Sequence, residues 1–237
     1  MTKSQRSPST TETQSQLQGD FKDGEHQFRG LVERYATLLG EVGVRCVPFD
    51  DNNLPLYKKT RPEVQQNAVI FLQNALAVYE QIRMAGESFR NNKNLIWRTL
   101  NRLKLIPDSA IFDKISDDDV VEIYALPDHS HLAWNIRLLE QVSFTAEQLL
   151  CLPWWEIGSR PPEIMAKLQS VGAALSAGEQ VTTVVSPVPK HLVQELGSRE
   201  LLTIELEIKY ISPLRQSGRN AAFMVINGSR IVGSQIQ

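Results

Sequence analysis

Residues 120–150 read VVEIYALPDHSHLAWNIRLLEQVSFTAEQLL, and the change of period within this stretch decides the fold. Val120 to Leu126 is rich in β-branched and aromatic residues, which predicts a strand. The turn-forming run Pro127-Asp128-His129-Ser130 leads into a second short strand, His131 to Asn135. The period then becomes helical in IRLLEQ. Thr145 and Gln148 stand three apart, the spacing of a capping box, and open a further helix, AEQLLC, that Pro153 stops. A hairpin followed by short helices is thus expected from about Asp117 onward.

Beyond this stretch, Ala166 to Ala177 is helical and stops at Gly178. Three strands are expected to finish the chain: Gln180 to Ser186, Leu201 to Ile211 and Ala221 to Val232. In the middle one Leu202, Ile204, Leu206, Ile208 and Tyr210 share one face, while Thr203, Glu205, Glu207 and Lys209 share the other. That alternation predicts a sheet with one side on a core and the other in water. Gly218 supplies the turn into the last strand.

Before it, residues 1 to 24 are Ser/Thr/Gln-rich and too poor in apolar groups to offset the entropy of ordering, so a disordered tail is expected. Phe28, Leu31, Tyr35, Leu38 and Val42 form the stripe of an amphipathic helix. A loop containing Pro48 and Pro55 follows. Thr60 and Glu63 fit a capping box with Pro62 in the first turn. From there Val64, Ala68, Phe71, Ala75, Val78, Ile82, Ala85 and Phe89 keep a four-three alternation. Such a repeat is the seam of a coiled coil or of closely packed antiparallel helices. The coiled-coil reading makes Phe71, Val78, Ile82 and Phe89 a homodimer interface. A third helix carries Leu95, Ile96, Leu100 and Leu103, and a short one runs from Ala110 to Ile115, with Asp108 or Ser109 as its cap. The expected class is therefore α+β: a tail (1–24), a helical dimerisation segment (25–116) and a sheet domain (117–237).

The order strand–strand–short helices–strand–strand–strand resembles a PAS domain, an antiparallel five-stranded sheet with helices on one face. VVEIYAL-PDHSH-LAWNIRLLEQ resembles the family's first hairpin and the helix start after it. Val142 to Leu150 (VSFTAEQLL) resembles its G-Y-s-x-e-E-l-l segment, and IELEIKYISPLRQSGRNAAFMVI its last long hairpin. The family's usual glycine in the first hairpin turn is absent, and Pro187 to Arg199 lengthens one connection. The resemblance implies a cavity between the sheet and the short helices, lined by Leu138, Leu139, Leu149, Leu150, Ile204, Leu206 and Ile208, with Trp154 at the rim. A small apolar ligand is the expected occupant, with no charged residue aimed inward. Leu152-Pro153-Trp154-Trp155-Glu156 stands where flavin-binding members carry a reactive cysteine, and Cys151 falls three positions early. No histidine occurs from Pro162 to Gly178, where oxygen-sensing members hold haem. The cofactor therefore stays unassigned.

Other chemistries find little support. With a net charge of −2, the chain lacks the basic surplus of a general nucleic-acid binder. The alternative, a DNA-binding regulator, rests on the basic segment 90–104: Arg90, Lys93, Arg98, Arg102 and Lys104 with Trp97. No P-loop, G-x-G-x-x-G or G-x-S-x-G motif occurs. His129 and His131 form an H-x-H without an evident third ligand, and read as a solvated turn. Asp117-Asp118-Asp119 reads as a polar linker, and Cys46 and Cys151 as reduced thiols. No apolar run is long enough for a bilayer and no export signal opens the chain, so a cytoplasmic location is expected. These observations predict a non-enzymatic sensory or regulatory module that dimerises through its helices and acts through a protein partner.

Overall fold

A computed structural model describes residues 10–50, 54–126, 128–177 and 184–236. Four helices come first: α1 (Thr10–Glu41), α2 (Pro55–Lys59), α3 (Pro62–Met84) and α4 (Asn92–Leu103). The two-residue β1 (Ile106–Pro107) and a 3₁₀ turn (Ser109–Lys114) lead to the hairpin β2 (Val120–Ala125) and β3 (His131–Trp134). Then follow α5 (Ile136–Gln141), α6 (Ala146–Cys151), α7 (Trp154–Ile157), β4 (Gly158–Ser159) and α8 (Pro162–Ser176). The chain finishes with β5 (Val184–Val185), β6 (His191–Glu195) and the long hairpin β7 (Glu200–Gln216) and β8 (Arg219–Ile236). The molecule is α+β, as the sequence predicts.

All strand pairs are antiparallel, and the sheet runs β3-β2-β8-β7-β6-β4, with β1 and β5 also paired to β7. The first and last hairpins are therefore neighbours at the centre, where β2 lies against β8. Ser217 and Gly218 turn the long hairpin with φ of 51° and 80°, a two-residue turn in the left-handed region that glycine enters without strain. The strand beside β7 is His191–Glu195, inside the stretch read as a connection. Its inward residues are His191, Val193 and Glu195, and two polar groups out of three hide the period. Of the strand expected at Gln180 to Ser186, only the Val184–Val185 pairing belongs to the described residues.

The water-facing side expected for the sheet is covered over much of its area. Ala222, Met224 and Ile226 of β8 and Val121 and Ile123 of β2 pack against Ile96 and Leu100 of α4 and Ile111 of the 3₁₀ turn. Phe223 and Val225 of β8 and Tyr124 of β2 face the other way, toward Ile164 and Leu175 of α8. A bulge at Lys209 makes this possible in β7: Ile208 pairs with Asn227 and Tyr210 with Ile226, leaving Lys209 extra. Ile208 and Tyr210 therefore face opposite sides, contrary to the uninterrupted alternation. The freed Lys209 ammonium donates to Oδ1 of the buried Asp119 at 2.6 Å.

Helix α3 stops at Met84, before Ala85 and Phe89 of the expected stripe, and apart from the exposed Ala85 the stripe is mostly consumed inside the chain. Phe71, Val78, Ile82 and Phe89 are buried with Phe28, Val32, Tyr35 and Leu39 of α1 and with Trp134, Ile136 and Leu149 of the sheet half. The Phe71 ring lies 4.1 Å from that of Trp134, whose indole N–H donates to the Tyr35 hydroxyl at 3.0 Å. Packing of α3 on β3 and against α1, which runs parallel to it (Arg34 pairs with Glu80 and Glu41 with Arg83), accounts for the repeat, so these four residues offer no free face to a second copy. The helices and part of the sheet half also share one apolar cluster.

Other local signals fared unevenly. The capping box at Thr145 and Gln148 forms, with the Thr145 hydroxyl accepting from the Gln148 amide at 3.1 Å and Gln148 Oε1 accepting from the Thr145 amide at 2.8 Å. The one at Thr60 and Glu63 does not. Pro62 holds Arg61 extended, at φ −61° and ψ 148°, and Arg61 becomes the N-cap of α3. Thr60 ends α2 instead, its hydroxyl donating to the Leu56 carbonyl. Helix α1 reaches back to Thr10, through much of the expected tail, because extending a formed helix costs no new nucleus. Residues 1–9 lie outside the described residues.

Candidate functional site: a cavity on the inner face of the sheet

Two adjoining cavities of about 70 and 90 Å³ lie between the inner face of β2, β8, β7 and β6 and the cover formed by α5 to α8. They share Glu122, Tyr124, Trp154, Arg160, Leu206 and Asn227. Each is well above the ~10–15 Å³ that one water needs. Leu168, Val171 and Leu175 of α8 wall the first, and Leu138, Phe144, Leu149 and Val193 the second.

The shared zone is polar at its centre. On β2, residues 120, 122 and 124 face the cavity, which places the Glu122 carboxylate among apolar walls. Its Oε1 accepts from the Tyr124 hydroxyl at 2.6 Å and lies 3.2 Å from His131 Nε2; its Oε2 accepts from the Asn227 amide at 2.9 Å. Burial is the largest single influence on Glu122 and alone would raise its pKa. The His131 hydrogen bond and charge, the Tyr124 hydroxyl and the nearby Arg160 together outweigh it, so the carboxyl titrates below its usual range. Tyr124 moves the other way. Burial, then the Glu122 charge, hold its pKa well above the ordinary value, which keeps the hydroxyl a donor.

Arg160 follows β4 and supplies the opposing charge. Its Nη1 donates to the Gly158 carbonyl at 3.0 Å and its guanidinium lies 5.3 Å from the centre of the Trp154 ring. Two buried atoms of this zone find no partner among the described residues: Arg160 Nε, a donor, and Asn227 Oδ1, an acceptor. Gln141 Oε1, an acceptor at the second cavity, also finds none, and outside both linings the same holds for His191 Nε2 on the inward face of β6, whose Nδ1 is 2.9 Å from the Pro189 carbonyl, which fixes the proton on Nδ1 and leaves Nε2 an acceptor. Both oxygens of Glu122 are engaged, so it acts as a fixed anion that organises its neighbours.

Six of the eight expected lining residues border this space: Leu206 and Trp154 both cavities, Ile208 the first, and Leu138, Leu149 and Ile204 the second. Leu139 and Leu150 do not; they point into the cluster shared with α1 and α3. The expectation that no charge is aimed inward is overturned by Glu122 and Arg160. His131, read as part of a solvated turn, is 8% exposed and bonded to Glu122. A signal for Glu122 was present, since it is the only polar residue in a strand that is apolar on both faces. Arg160 and Asn227 gave none.

His129 lies apart from His131, with φ 57° and its ring edge-on to Phe223. It packs so closely on α8 that a Cβ at Gly172 would stand 2.7 Å from its Cε1. Burial lowers its pKa, with Asp128 opposing. Among the described residues no group of three or more His, Cys, Asp or Glu side chains is placed to hold a metal ion. Asp117, Asp118 and Asp119 diverge, to the Asn92 amide, to Arg137, and to the Ser116 amide with Lys209. Burial pushes the thiols of Cys46 and Cys151 up to about 12, far from thiolate reactivity. In the basic segment, Arg90 pairs with Glu140 at 2.6 Å, Arg98 with Glu87 at 2.8 Å, and Arg102 donates to Asn74 at 2.7 Å. These three side chains have partners within the fold, and Trp97 is 55% exposed. No helix among the described residues is long and apolar enough to cross a membrane. Compared with known proteins, the chain matches no family model and no curated protein.

Proposed function

We propose that this chain is a PAS-like sensory or regulatory module that binds a small molecule in the cavity on the inner face of its sheet and signals by protein contact, without catalysis. The observation that carries this reading is the pairing of that cavity with a buried polar centre whose Asn227 Oδ1 and Arg160 Nε lack partners among the described residues. A core evolved only for packing gains nothing from leaving buried donors and acceptors unmet, since each such group costs about 1–3 kcal/mol. A ligand that satisfies them repays that cost on binding.

The PAS-like assignment draws support from the two hairpins, the helices between them and the antiparallel sheet in which β2 and β8 are neighbours. Transmission has a physical route. Trp154 borders the cavity, and α6 of the same cover is tied to the N-terminal helices: Glu147 accepts from the amides of Leu56 and Tyr57 at 3.1 and 2.9 Å, and the amides of Ala146 and Glu147 donate to the carbonyls of Val47 and Pro48. A shift of the cover on ligand binding therefore reaches α2 and the segment that follows α1. Native mass spectrometry of the protein purified from its own host tests the reading. A stoichiometric adduct of a few hundred daltons or less, lost on unfolding, is expected. Protein that is ligand-free and whose melting point no small molecule raises would refute it.

A further inference from the structure

The polar atoms of the cavity define the chemical class of its ligand, an inference that rests on the binding function just proposed. Glu122 and Arg160 carry opposite charges within the same space, and both line both cavities. A ligand anion placed there would meet the Glu122 carboxylate, and a ligand cation the Arg160 guanidinium. A neutral ligand meets neither penalty.

Asn227 narrows the class. It is 3% exposed and its amide orientation is fixed, because the Glu122 carboxylate can only accept and so must face Nδ2. Oδ1 is then a buried acceptor without a donor among the described residues, and Arg160 Nε a buried donor without an acceptor, both on residues that line the two cavities. Apart from His129, the remaining walls of the first cavity are aromatic or aliphatic, among them Tyr124, Trp154, Leu206, Ile208 and Phe223, whereas the second cavity adds His131, Gln141, Glu195 and Ser229. We infer that the ligand is a small, neutral, flat molecule bearing a carboxamide or lactam, whose N–H donates to Asn227 Oδ1 and whose carbonyl accepts from Arg160 Nε. A carboxylate lacks the donor, and a ketone or a plain hydrocarbon lacks one or both groups.

Four probes of similar size separate these possibilities: benzamide, acetophenone, benzoate and ethylbenzene, each titrated into the full chain by protein-observed NMR. Benzamide should bind about tenfold tighter than ethylbenzene and about threefold or more tighter than acetophenone, as expected for one or two added hydrogen bonds, with benzoate weaker than benzamide. Arg160→Lys keeps the charge but removes Nε, and should shrink the advantage of both carbonyl probes over ethylbenzene while the fold, checked by circular dichroism, persists. Equal affinity for all four would overturn the class and leave a pocket that reads shape alone. Tighter binding of benzoate would overturn it in favour of an anion site. No binding by any probe would remove the pocket itself and this assignment with it.

Discussion

Replacing Phe71 with alanine probes whether the N-terminal helices and the sheet are one folding unit. Phe71 is 1% exposed, lies 4.1 Å from the Trp134 ring and meets Tyr35 edge-on at 6.4 Å. It therefore touches α1 on one side and β3 on the other, and truncation leaves a void that neither rigid neighbour can fill. A buried Phe→Ala change costs about 3–5 kcal/mol. For a chain of this size each kcal/mol lowers the melting point by roughly 2–4 °C, so a fall of about 6–20 °C is expected. Urea unfolding followed in parallel by far-ultraviolet circular dichroism and tryptophan fluorescence reads the effect. Both signals should move together to a lower midpoint, because the cluster around Phe71 also contains Ile136, Leu149 and Cys151. A loss below about 1 kcal/mol, or a helical transition that separates from an unchanged sheet transition, would refute the shared core.

Three further outcomes follow from the same contacts. Val78→Asp with Ile82→Asp places two unpaired charges in that core, and the chain should fail to fold; a folded variant that merely sediments at lower mass would restore the seam between copies. Glu147→Ala strands the buried amide of Tyr57 and the half-buried one of Leu56 and should cost about 1–3 kcal/mol in a urea titration, with an unchanged midpoint contradicting the latch to α2. Burial lowers the pKa of His129 and of His191, so the unfolded chain binds more protons than the folded one just below the ordinary value of 6.5. Stability should thus be full above pH 6.5 and decline as pH falls from there; His129→Gln with His191→Gln should flatten this slope, and an equally steep slope in the double variant would contradict it.

How far the sequence disclosed the fold depended on whether a signal was local. Helices α5 and α6 are read to the residue, since IRLLEQ and the Thr145–Gln148 box need nothing beyond themselves. The Thr60 box had the same letters but lost to Pro62, which sets the conformation of Arg61 before any side chain can cap. Strand β6 was hidden because a strand that presents His191 and Glu195 inward has no apolar period to show. The stripe through Phe71, Val78 and Ile82 is the same whether a helix packs on its own chain or on another, and only the position of Trp134 decides. For the site, periodicity found the walls, as Leu206 and Ile208 show. It could not find Arg160 or Asn227, whose roles arise only when β4 and β8 bring them to one space. The bulge at Lys209 is likewise invisible in a run of alternating letters, yet it decides which face Tyr210 joins.

The central claim is that the inner face of the sheet encloses room for a ligand and is not a solid core. Leu206 borders both cavities, so Leu206→Trp directs an indole into that space, and the unfolding free energy from urea denaturation reads the consequence. The account predicts a change smaller than about 1 kcal/mol, because the ring enters existing volume. A loss of about 1–3 kcal/mol, the cost of overpacking a filled core, would contradict it.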